Sequence, residues 1–204
     1  EIHRAMGVTQ KTAWFMLQRA RLAMQDDLTG GNLNGEIEID ETFIGGKARN
    51  MHAWRRRRTI GGANKGKTVV LGMLERNGRV RASVMPDRKK HNIRPIVGAN
   101  VERGSKVYTD EYGWKWVPKD EYEHEMVNHL EAYVKGNVHT NGLENFWSLL
   151  KRGLGGTYVS VEPFHLFRYI DEQAFRYNHR ELTDRERFVI AVNQSGGRRL
   201  TYSE

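Results

Sequence analysis

The sequence predicts an α/β domain, a mixed sheet with helices packed on it, preceded by a short helical segment. Three observations predict this. Apolar and polar residues alternate with period two over Glu36–Ile44 ("EIEIDETFI") and again over Arg79–Met85 ("RVRASVM"), with the β-branched apolar run Thr68–Glu75 ("TVVLGMLE") between them. Asn77-Gly78 joins the last two as a hairpin turn signal. Helical and extended patterns then alternate to the end, the order that places helices on a mixed sheet.

Taken in order, residues 1–25 read as helical, within an N-terminal segment over 1–27. Gly7 punctuates "AMGVTQKTAWFMLQRARLAM", Thr9 is a good N-cap, and Ala13, Trp14, Met16, Leu17 and Ala20 recur at helical spacing. A helix, a Gly turn and a second helix match a helix-turn-helix, with Gln10 and Lys11 at the groove-facing start of the second helix. An ordinary helical pair would read the same way. "LTGGNLNG", residues 28–35, has the composition of a linker, so the main domain is expected over 36–204. After the three strands come a helix-like stretch over Asn92–Val101, a short strand Lys106–Asp110 ("KVYTD") and "HEMVNH" at 124–129. A helix follows from about Gly142, then a Gly155-Gly156 break and a long helix near Pro163–Arg180.

Composition narrows the function classes. The chain has 204 residues, enough for one medium domain with a small appendage, and 38% hydrophobic content with five Trp, eight Tyr and seven Phe supports a real core. Lys and Arg total 33 against 25 Asp and Glu, a net charge of +8, which favours an anionic partner, nucleic acid before membrane. With no cysteine, disulfides and Cys-ligated zinc are excluded within this chain, which suits a cytoplasmic setting. The longest apolar run, Val69–Leu74, is too short to cross a bilayer, and no signal peptide is present. The start at Glu1 rather than Met suggests a piece of a longer protein.

"GGANKGKT", residues 61–68, matches the phosphate-loop pattern G-x-x-x-x-G-K-[ST]. That motif needs a buried strand before it and a helix after it, because backbone N–H groups at the helix start cradle the phosphates. Here Arg55, Arg56, Arg57 and Arg58 precede it and a strand-like run follows. A basic loop between two strands fits better, with Arg55–Arg58, Lys65 and Lys67 available to DNA phosphates or simply solvated.

Three carboxylates end or open elements. Asp40 follows Ile37 and Ile39 on the first strand, Asp110 closes "KVYTD", and Glu144 lies near the start of a helix. Two-metal phosphoryl transfer needs a few convergent carboxylates, and hard oxygen ligands suit Mg²⁺, with Mn²⁺ as a substitute. Spacing alone does not show that these three converge. Glu144 has a second reading, as the N3 residue of a capping-box variant with Asn141 as N-cap. The apolar stripe Leu143, Phe146, Trp147, Leu150 and Leu154 leaves Glu144 and Lys151 together on another face, two turns or roughly 10 Å apart. Glu36 reads as solvated, and Glu38 and Glu41 carry no assigned chemistry. Asp171 and Glu172 read as exposed positions on an amphipathic helix. His124, His129, His139 and His179 lack compact ligand spacing, and His124 and His129 read as facing solvent or DNA.

"EIEIDETFIGGK", "VYTDEY", "HEMVNH", "YVKGNVHTNGLENFWSLLKRGLGGTY" and "FRYIDEQAFRYNHR", in this order, resemble bacterial insertion-sequence transposases of the ISXO-like DDE family. The resemblance extends over nearly the whole chain, including "GVTQKTAWFMLQR". It implies an RNase H-like domain whose acidic triad falls on Asp40, Asp110 and Glu144, with a basic residue seven positions on, here Lys151. Such families commonly carry a zinc ribbon before the helix-turn-helix, a module not present in this sequence.

The function expected is therefore a DNA transposase. Asp40, Asp110 and Glu144 would bind two Mg²⁺ ions, Lys151 and Arg152 would steady phosphates, and residues 1–25 would grip DNA. Double-stranded transposon ends and target DNA would be the partners, with a homodimer on DNA, in the bacterial cytoplasm at the nucleoid. An RNase H-like nuclease without strand transfer and a non-enzymatic helix-turn-helix regulator are the alternatives.

Overall fold

A computed structural model describes residues 1–25, 31–46, 53, 66–110, 117–118, 120–127, 140–159 and 161–201. Five strands form one sheet: β1 (Glu36–Ile44), β2 (Thr68–Glu75), β3 (Val80–Met85), β4 (Lys106–Asp110) and β5 (Glu123–Val127), in the order β3-β2-β1-β4-β5. The first three are antiparallel neighbours, whereas β4 runs parallel to β1 and β5 parallel to β4. The sheet is mixed, as expected. Asn77, at φ 59°, makes the β2–β3 turn, closed by Glu75 N–H to Arg79 O at 2.9 Å.

Alternation along the strands divides the interior into two layers. Ile37, Ile39, Leu71, Met73 and Val107 face one side, against Ile93 and Val97 of helix α3 (Lys90–Asn100). Val70, Leu74 and Val80 face the other, against Leu143, Phe146, Trp147 and Leu150 of α4 (Asn141–Gly153) and Leu166 and Ile170 of α5 (Leu166–Asn178). A parallel neighbour for β1 requires a crossover, and α3 supplies it between β3 and β4.

At the N-terminus, α1 (Ile2–Met6) ends at Gly7 in the left-handed region, and α2 (Gln10–Ala23) begins where the Thr9 side chain accepts from Thr12 N–H at 3.1 Å. The face α2 buries differs from the one its apolar residues suggested. Trp14, Met16 and Ala20 are exposed, while Ala13, Gln18, Arg21 and Ala23 are buried. Arg21 is withdrawn because its Nε donates to Glu172 Oε2 on α5 at 3.0 Å, and its guanidinium lies over the rings of Tyr158 and Tyr169. Glu172 is correspondingly buried, not exposed. Arg198 closes the far end of α2, donating to the carbonyls of Leu22 and Gln25 at 2.7 Å each.

Gly31–Gly35, the described part of the predicted linker, joins the core rather than merely spanning. Leu33 is fully buried, bridges to Val101, and exchanges backbone hydrogen bonds with Asn100 and Glu102 at 2.8 Å. The Gly155-Gly156 break is a π-helical turn, Leu154–Tyr158, that extends α4. A further helix, α6 (Asp184–Asn193), lies beyond the predicted elements; it opens on a capping box between Thr183 and Glu186. No helix among the described residues is long and apolar enough to cross a membrane.

Candidate active site

The four carboxylates clustered on β1 have four different environments. Glu36 is half-buried and paired with Arg76 Nη1 at 2.9 Å, with Tyr108 Oη donating at 3.3 Å, so it is not simply solvated. Glu41, on the opposite face from Asp40, forms an ion pair with Arg88. Glu38 is 1% exposed and receives Arg76 Nε at 3.3 Å on one oxygen. Its other oxygen accepts the Leu143 backbone N–H at 3.0 Å, at the first turn of α4. A carboxylate there satisfies an otherwise orphaned donor and complements the helix dipole. Glu38 thereby fastens the start of α4 to the middle of β1.

Two glycines make that approach close enough. A Cβ at Gly142 would run into Leu74 and stand 2.9 Å from Glu38 Oε2. Gly72, opposite Asp40 in the β1–β2 register, leaves room for the Trp147 ring, whose Cζ2 would lie 2.5 Å from a Cβ there. Seated over Gly72, Trp147 donates its indole N–H to Asp40 Oδ2 at 2.9 Å. Helical periodicity assigned Trp147 to the apolar stripe, which is right for its ring and silent about its polar edge.

Asp40 and Asp110 are adjacent across the sheet. β1 and β4 are parallel with Ile39 opposite Thr109, so the next residue on each strand is an acid, on the α4 side, with the strands about 4.8 Å apart. Glu144 projects from α4 as an exposed side chain. It is not a cap: Thr140 holds the N-cap position, its own side chain makes no capping bond, and Glu144 N–H bonds the Thr140 carbonyl at 3.1 Å. Burial pushes the Asp40 carboxyl up to a pKa of about 6; the Trp147 hydrogen bond opposes this, and the negative charges of Asp110 and Glu144 reinforce it. Asp40 thus lies within the electrostatic reach of both other acids. Among the described residues, no cation is among the groups acting most strongly on Asp40.

The donor set fits a hard divalent cation: oxygen ligands only, and one carboxyl held in its charged form at a cost that a cation would relieve. Among the described residues no three His, Asp or Glu side chains stand close enough together to hold an ion as they are. His124 bonds the buried Thr109 hydroxyl at 2.8 Å, next to Asp110, instead of facing solvent or DNA. His179 Nδ1 meets the Phe175 carbonyl at 2.9 Å.

Of the cationic residues expected around the acids, Lys151 and Arg152 are exposed on α4, with Arg152 donating to Ser148 Oγ at 3.4 Å. Gln10 and Lys11 are exposed at the start of α2, and Lys67 is half-buried just before β2. Thr68–Glu75 is a strand, so the phosphate-loop pattern lacks its helix. Arg55, Arg56, Arg57, Arg58, Lys65, His129 and His139 lie outside the described residues.

The chain is 28% identical over 105 residues to an uncharacterized transposase-like protein of Haemophilus influenzae, covering 51% of this chain and 85% of that protein. It is 30% identical over 162 residues to an uncharacterized protein in transposable element ISH50 of Halobacterium salinarum, covering 73% of this chain but 54% of that protein, about half its length. No solved structure matches significantly. Residues 32–178, from just before the buried Leu33 to the end of α5, match the ISXO2-like transposase domain, and the chain belongs to that family.

Proposed function

We propose that this chain is the catalytic region of a DNA transposase that cleaves at insertion-sequence ends and joins the 3′-hydroxyl strand to target DNA. The observation that carries the reading is that Asp40 and Asp110 follow paired residues on neighbouring parallel strands, with burial and the negative charges of Asp110 and Glu144 raising Asp40 to about 6. An RNase H-like fold accords with the sheet order β3-β2-β1-β4-β5, antiparallel through β1 and parallel beyond it.

Asp40, Asp110 and Glu144 would hold two Mg²⁺ ions, with Mn²⁺ able to substitute. Bound there, the ions would activate the attacking oxygen and stabilise the leaving one. Glu38 holds α4, and so Glu144, against β1, while Trp147 orients Asp40. Lys151 and Arg152 face solvent on the helix that bears Glu144, where they would take DNA phosphates flanking the scissile one. Gln10 and Lys11 would contact DNA from α2 as part of a helix-turn-helix, and Lys67 with Arg55–Arg58 and Lys65 would extend the basic surface. Two ends brought together imply a homodimer on DNA, at the bacterial nucleoid.

Incubation with pre-cleaved element ends, a target plasmid and Mg²⁺ or Mn²⁺ tests the reading. Joined products are expected from the wild type and none from Asp110→Asn or Glu144→Gln, with DNA binding retained. Cleavage without joining would indicate a nuclease; unchanged behaviour of both variants would remove the acids from the chemistry.

A further inference from the structure

We propose that Trp147 is a positioning residue that sets the cation preference of the acidic site, biasing Asp40 toward one-oxygen coordination and hence toward small octahedral ions over large ones. The inference rests on the metal-site reading above.

The Trp147 indole N–H, a donor only, lies 2.9 Å from Asp40 Oδ2. Hydrogen bonds to a charged oxygen are the stronger kind, and this one is shielded, since Trp147 is 5% exposed. The ring has little freedom to leave. Gly72 lies beneath it with no space for a Cβ, Phe146 packs on it at 5.1 Å between ring centroids, and Glu38 pins the start of the same helix through Leu143 N–H. The bond from Trp147 therefore orients the Asp40 carboxylate before any ion arrives.

Such a carboxylate has one oxygen already engaged. Mg²⁺ needs nothing more, because it binds a few carboxylates through single oxygens at near-octahedral geometry and keeps several waters. Ca²⁺ fills six to eight positions and commonly takes both oxygens of a carboxylate. Holding Oδ2 therefore handicaps the larger ion selectively. It also explains why a Trp, and not another large apolar residue, occupies a position that otherwise belongs to the core.

The test compares Mg²⁺, Mn²⁺ and Ca²⁺ binding by titration calorimetry on the DNA-free protein, with folding checked by circular dichroism. Trp147→Phe keeps the aromatic bulk and deletes the donor. Its Ca²⁺ affinity relative to Mg²⁺ is expected to rise about tenfold over wild type, the scale of one charge-assisted hydrogen bond. Trp147→Leu, which also deletes the donor while keeping an apolar side chain, is expected to move the ratio the same way and covers the case of a poorly folding Trp147→Phe. Equal loss of affinity for all three ions, with the ratio unchanged in both variants, would make Trp147 merely structural and overturn the proposal. Absence of any divalent-ion binding by the wild type would instead overturn the metal-site reading beneath it.

Discussion

Asp40 and Glu172 are both carboxylates drawn out of water, and their surroundings push them in opposite directions. Burial alone would raise Glu172, but the Tyr158 hydroxyl, Arg21 and Arg176 outweigh it and hold the group below its usual range. Tyr158 Oη donates to both oxygens at 2.8 Å, Arg21 stands at 3.0 Å and Arg176 at 3.0 Å. Burial raises Asp40 to about 6, and there the neighbours include two further acids. One carboxylate is satisfied within the fold and joins α2 to α5. The other lies beside two further acids, with no cation, among the described residues, in the set of groups acting most strongly on it, and a carboxyl shifted in this way is a candidate for function and not for holding the fold together.

Removing either group separates the two cases, with the larger effect at the satisfied one. Glu172→Ala leaves the Arg21 guanidinium buried without its carboxylate, and a loss on the order of 3–5 kcal/mol is expected in chemical denaturation. Asp40→Asn should do the reverse in the absence of divalent ions. It removes a charge that burial and like neighbours disfavour, and a gain of roughly 1–3 kcal/mol is expected. Destabilisation by Asp40→Asn would contradict the contrast directly.

Acidity sharpens the comparison. Asp40 has a folded pKa of about 6 against 3.8 ordinarily, so the folded state holds its proton more tightly than the unfolded chain. Its penalty is complete above about pH 6 and fades as the pH falls through that value. Glu172 is lowered from 4.5, so its contribution is present above 4.5 and is lost as the pH falls below it. Melting temperature without divalent ions should therefore rise on acidification from neutral to mildly acidic pH and fall again below about 4.5. In Asp40→Asn the first limb should flatten while the second stays.

Smaller effects are expected from the exposed cations. Lys151→Ala should weaken DNA binding modestly and lower the slope of log affinity against log salt by about one, measured by fluorescence anisotropy. An unchanged slope would mean that Lys151 does not touch phosphate.

How much of this was legible in the sequence depends on the distance over which each feature is made. Strands β1 to β4 were readable because alternation and the Asn77-Gly78 turn are local signals. The candidate acids stood out by their places on those elements, together with the family resemblance. Glu172 misled because Arg21, its partner, is 151 residues away and no helical period reports a contact between helices. Trp147 and Glu38 were invisible for a related reason. Apolar periodicity counts an indole as core whatever its N–H meets, and a buried Glu on a half-polar strand looks like its solvated neighbours until a helix end docks on it. Helix α6 carries a readable capping box but buries no residue completely, so it lacks the apolar stripe that announces a helix.

The central claim is that Asp40, Asp110 and Glu144 form one cation site. Calorimetric titration of Mn²⁺ into the wild-type protein, Asp110→Asn and Glu144→Gln tests it most directly, since those acids come from different elements and neither is needed to hold the core. Binding by the wild type that is lost or weakened at least about tenfold in each variant is the predicted result. Equal Mn²⁺ affinity in all three proteins would contradict it.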